Sequence, residues 1–155
     1  ALYLEEAPVQ LGFYERYKRP RAQEFIYVFG IFRAVRTIAD VRMQRNEMNA
    51  LETAEYWKKW TPWLDDNVSR VDAEIYRRRP PGYGLSYTIG SFQVYKLLGE
   101  RRHELGGAFK LGEFHDWLMA SGRLPVSLLR YELTGNDDEV KLLWEHKPLS
   151  SLRSR

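Results

Sequence analysis

The stretch from Arg21 to Met48 limits the fold more than any other part of the chain. Phe25, Val28, Phe29, Phe32, Val35, Ile38, Ala39 and Met43 recur there at steps of three and four residues, the period of a helix and not of a strand. This segment is expected to be the longest helix, central and largely buried, with Gly30 as the place for a bend. No convincing apolar–polar alternation occurs elsewhere. The expected class is therefore all-α, a multi-helix arrangement around this long element.

The other elements are set by their breakers. Residues 1–17 read as helical, with Pro8 expected to kink or divide the helix and Lys18-Arg19-Pro20 to end it. Asn49 and Thr53 offer N-cap chemistry for a helix that Thr61-Pro62 closes. Asp65 and Asp66 open the next, through Tyr76. Pro80-Pro81-Gly82-Tyr83-Gly84 is the sharpest break, and a helix is expected from Leu85 to His103. After Gly106-Gly107 come a helix from Leu111 to Ala120, stopped by Gly122, and one from Pro125 to Leu133. One more short helix is expected after Asp137, before the tail frays. Residues 1–155 thus read as one helical segment of seven or eight helices, with 134–155 as a tail.

A hydrophobic fraction of 44%, with 5 Trp, 10 Tyr and 7 Phe, demands a real core or an interface. The longest apolar run, Phe25 to Phe32, is far short of the roughly 20 residues that span a membrane. Acidic residues break up the surroundings of basic clusters such as Arg77-Arg78-Arg79, and the net charge is only +3. That pattern reads as solvated faces and not as a phosphate track, so no nucleic-acid partner is expected. The absence of cysteine excludes thiol nucleophiles, disulfides and Cys-based metal sites. His103, His115 and His146 lack helical zinc spacing, and no HExxH, P-loop or GxSxG occurs. No metal ligand set is expected within this chain.

Three constellations carry chemistry. Arg33, Arg36 and Asp40 share one stripe of the long apolar helix. Guanidiniums in such a place must be paired. They form either a fork for a carboxylate or an ion-pair brace between helices. Tyr83 and Tyr87, four residues apart after the Pro-Pro-Gly break, present two phenols on one face. These are either donors to a developing oxyanion or staples of the turn. His115, in Phe114-His115-Asp116-Trp117, is either a packing histidine or part of a cleft.

Four segments stand in a telling order: Ala1-Leu2-Tyr3-Leu4-Glu5; Phe32-Arg33-Ala34-Val35-Arg36 with Asp40; the run Pro81 to Gly90; and Phe114-His115-Asp116 with Gly122 and Leu124-Pro125. Together, over residues 1 to 133, they resemble the bacterial domain-of-unknown-function family 885, a group similar to zinc metallopeptidases of the gluzincin type. The resemblance implies a mostly helical protein of several hundred residues, of which this chain would be the C-terminal part. A chain that opens at Ala1, already in apparent helix, suits that placement. The family's His-Glu-x-x-Pro-Gly-His helix and a Glu-Gly-Trp segment would lie upstream and hold the zinc. By the same resemblance Glu5 and Asp40 would buttress the metal site from behind. Tyr87 would polarise the scissile carbonyl, Tyr83, Arg33 and Arg36 would bind substrate, and His115 would line the cleft. The sequence departs from the family pattern at Tyr83, where Gln is usual, and at Arg42 and Gln44, where a Gly and a His often follow the Asp.

The implied function is peptide hydrolysis by a zinc-activated water, with this chain supplying cleft wall and no zinc ligand, and inactive by itself. The expected partners are the upstream portion of the same protein, a peptide substrate and a second copy of the chain. Apolar surface is expected on the first helix and around Tyr83–Leu98, where upstream residues belong. The alternative is a non-catalytic helical interaction module of the same descent.

Overall fold

A computed structural model describes residues 2–19 and 21–145. Every regular element among them is a helix: α1 (Leu2–Gln10), α2 (Phe13–Arg16), α3 (Ala22–Gln44), α4 (Ala50–Trp60), α5 (Asp66–Arg78), α6 (Tyr83–Leu105), a 3-10 turn (Gly106–Ala108), α7 (Leu111–Ala120), α8 (Val126–Thr134) and α9 (Asp138–Glu145). The all-α expectation holds. The described helices gather into two compact units, divided between residues 92 and 93 within α6.

Capping fixes several starts. The Asn49 side chain accepts from the backbone N–H groups of Leu51 and Glu52, while Glu52 accepts from Asn49 N–H at 2.8 Å, a reciprocal capping box. Thr53, the other N-cap candidate, lies inside α4 and is buried. Asp65 caps α5 through Asn67 and Val68. α1 runs past Pro8 and ends at Gln10, where Gly12 turns the chain at φ 65°. That left-handed residue, not the proline, separates α1 from α2.

The core of the first unit is one face of α3 set against α4 and α5. Phe32, Val35, Ala39 and Met43 pack with Ala54 and Trp57 of α4, Leu64, and Ala73 and Tyr76 of α5. The expectation of a largely buried α3 needs correcting. Phe25, Phe29 and Ile38 are exposed, by 67%, 47% and 47%. The apolar residues of α3 run around the helix, and the core takes only one face of it. Nor is α3 the single longest helix, since α3 and α6 both have 23 residues. The expected exposure elsewhere is present at Leu4, Leu11, Ile89 and Phe92.

In the second unit Leu97, Phe114 and Leu129 are buried. Arg130 of α8, also buried, ties Glu100 of α6 through two hydrogen bonds of 2.6 and 3.0 Å and pairs with Asp138 of α9.

Candidate functional site

The Pro80–Gly84 break delivers the start of α6 onto α3, and a carboxylate receives it. Asp40, fully buried, accepts from Gly84 N–H at 2.7 Å and Leu85 N–H at 3.2 Å. A helix start leaves N–H groups without intrahelical partners, and a negative charge there also suits the helix dipole. Asp40 is therefore a cap supplied from another helix, 44 residues away in sequence. Gly84 is obligatory at this contact. A Cβ on it would lie 2.4 Å from Tyr76 Cε1 and 3.1 Å from both the Arg36 carbonyl oxygen and Asp40 Cβ. One turn away Thr37 and Thr88 share a hydroxyl hydrogen bond of 2.7 Å, which fixes the rotation of α6 on α3.

This seating places Tyr83 and Tyr87 side by side. Their hydroxyls are 3.2 Å apart and their rings meet edge to face, 5.7 Å between centroids. The pair ends a continuous aromatic ladder in which Phe32, Trp57, Tyr76 and Tyr83 each meet the next edge to face, at 5.3–5.9 Å. Tyr76 is buried at the centre, its hydroxyl has no partner, and burial pushes its phenol up to about 12. The neighbouring Tyr83 hydroxyl, and then burial, hold the Tyr87 phenol above its ordinary range. A tyrosine is already protonated at neutral pH, and both effects move its titration further from that range.

The two arginines have partners inside the chain. Arg33 donates to Glu5 at 2.5 Å, which ties α3 to α1, and its Nη1 has no partner. Arg36 pairs with Asp72 of α5 and lies 3.9 Å from the Phe32 ring centroid, with Trp57 and Tyr76 also within cation–π reach. Burial lowers the Arg36 pKa, yet Asp72 and three aromatic rings compensate the charge. Of the seven residues singled out from sequence, six share the first unit: Glu5, Arg33, Arg36, Asp40, Tyr83 and Tyr87. His115 lies on α7 in the second unit, half-buried beside Phe114.

A family model described as "Bacterial protein of unknown function (DUF885)" matches residues 1–133. The chain belongs to the DUF885 family. No curated protein and no solved structure matches it. The DUF885 match takes in all seven candidate residues and stops before α9. Among the described residues no three His, Asp or Glu side chains converge to hold a metal ion. The donors present do not fit a zinc site, and His146 lies outside the described residues.

Sequence reasoning missed Tyr76, Thr37, Thr88 and Asp72. Tyr76 reads as one more apolar position of α5, and the threonines have no pattern of their own. Only the glycine in Tyr83-Gly84-Leu85, within a helix start, signals a close approach. A cavity of about 180 Å³ in the second unit is lined by Leu105, Phe109, Phe114, Trp117 and Leu133 with Arg101, Lys110 and Glu113 at its sides. It contains none of the seven candidates.

Proposed function

We propose that this DUF885 chain is the substrate-facing, C-terminal part of a peptide-hydrolysing zinc protein. Its working group is the Tyr83–Tyr87 hydroxyl pair. The observation that carries this reading is the pair's hydrogen bond at 3.2 Å. Two phenols hold two protons, and one hydrogen bond between them uses only one. The other is left to donate outward, from a position fixed by Asp40, Gly84 and the Thr37–Thr88 contact. A pre-positioned neutral donor of this kind stabilises charge that develops on a carbonyl oxygen in the transition state. Tyr87 is the donor in this reading, and Tyr83 orients it and contacts substrate.

Arg33 is the cation this reading assigns to a peptide carboxylate; Glu5 holds its guanidinium, and its unpartnered Nη1 is buried. Arg36 and Asp40 brace the helices on which the pair stands. His115 is left as a cleft residue of the second unit. Zinc and its ligands belong, in this reading, to the segment that the family resemblance places upstream.

The test is hydrolysis of a mixed peptide library by the intact natural protein, before and after chelation. Hydrolysis that disappears with the metal and returns with zinc is expected. An intact protein that holds zinc and leaves every peptide uncut would overturn the reading in favour of the non-catalytic interaction module.

A further inference from the structure

We propose that the outward face of α3 is a self-recognition seam through which two copies of this chain pair antiparallel. A helix at the surface of a monomer carries one apolar stripe; α3 carries two. The inward stripe is Phe32, Val35, Ala39 and Met43. The outward stripe is Tyr27, Ile31, Ala34, Ile38 and Val41, all exposed, from 62% at Tyr27 to 38% at Val41. Its steps are four, three, four and three, the spacing by which one helix buries a seam against another. It extends over about 21 Å of helix. A continuous apolar surface of this kind marks an interface.

The ends of the seam say what covers it. Continued by the same steps, the position before Tyr27 is Glu24 and the position after Val41 is Arg45, both exposed. The midpoint lies at about residue 34 to 35, beside Ala34. Two copies laid antiparallel about that midpoint set Ala34 against Ala34, Ile31 against Ile38 and Tyr27 against Val41 of the second copy. Glu24 then meets Arg45 of the second copy at each end. A parallel pair would stack Glu24 on Glu24 and Arg45 on Arg45. The seam is thus complementary to itself under a twofold axis and in one direction only. Arg45 bonds Glu47 on an exposed surface at 2.7 Å, a pair weak enough to exchange. Small residues stand where the helices cross. Beside Ala34, Gly30 has nothing within 4 Å of where a side chain would begin.

Residues 1–155 contain no cysteine, so a thiol introduced here reports a single contact once the unsubstituted protein has been run as the control. In the intact protein under mild oxidation, A34C is expected to form a disulfide-linked dimer, because its two copies meet at the axis. I31C alone is not expected to link, and the double variant I31C/I38C is. Sedimentation should give twice the chain mass for the natural protein and a shift to monomer for Ile31→Asp/Ile38→Asp. If that variant fails to fold, the cross-linking pattern decides. A monomeric natural protein overturns the proposal, and protection of A34C from a thiol reagent in that monomer assigns the seam to another segment of the same protein. Equal linking of I31C and A34C overturns the antiparallel register.

Discussion

Gly84, Asp40 and Tyr76 form the tightest junction in the first unit, and each should respond to substitution in its own way. Gly84→Ala drives a methyl group into the Tyr76 ring and the α3 backbone. A loss of about 1–3 kcal/mol is expected, as for overpacking of a filled core. Urea unfolding checks it, and an unchanged midpoint would show that the junction yields. Tyr76→Phe removes a buried hydroxyl that has no partner, so stability at neutral pH should change by less than about 1 kcal/mol. Its effect belongs to alkaline pH. The folded phenol titrates at about 12, whereas the unfolded one does so at about 10. Between those values the unfolded chain has lost a proton that the folded chain keeps. Stability should therefore be level below about pH 10 and fall towards pH 12. Denaturant midpoints across that window should fall less steeply for Tyr76→Phe than for the natural chain. The junction was only half readable in sequence. The Arg33–Arg36–Asp40 stripe was visible, but the acceptors and donors it meets lie on other helices, at separations that no periodicity marks.

Arg130 gathers three elements of the second unit by itself. It binds Glu100 of α6 and Asp138 of α9 from α8, and these partners hold its guanidinium above the usual range. Arg130→Met keeps the stem and removes the charge. A loss of about 1–3 kcal/mol is expected, less than for a fully enclosed pair because Asp138 is largely exposed. Hydrogen exchange should quicken across Asp138–Glu145 first, since α9 loses its tie to α8. Uniform exchange through α6 and α9 alike would contradict that order. Helix limits were the most readable feature of the chain. Gly122, Asp65 and the Asn49 box act through local chemistry, which a sequence displays directly. Burial was less readable. The apolar residues of α3 fix its period but not how many of its faces the chain covers, so Phe25, Phe29 and Ile38 were misplaced.

Across the molecule, the first unit combines a rigid aromatic ladder, internally paired arginines and a tyrosine pair with one unused donor. Among the described residues no three side chains converge on a metal site, and the proposed role of this chain, donation of a hydrogen bond, rests on the tyrosine pair. If the proposed function holds, chelation of the intact protein abolishes hydrolysis while leaving the alkaline stability profile of the first unit in place. The most direct test is the steady-state kinetics of Tyr87→Phe in the intact protein, beside its zinc content and unfolding midpoint. A donor that acts only in the transition state should, when lost, lower kcat by about 10²–10³-fold and leave KM nearly unchanged. Zinc content and midpoint should match the natural protein. A Tyr87→Phe enzyme with undiminished kcat would contradict the account and return the tyrosine pair to packing alone.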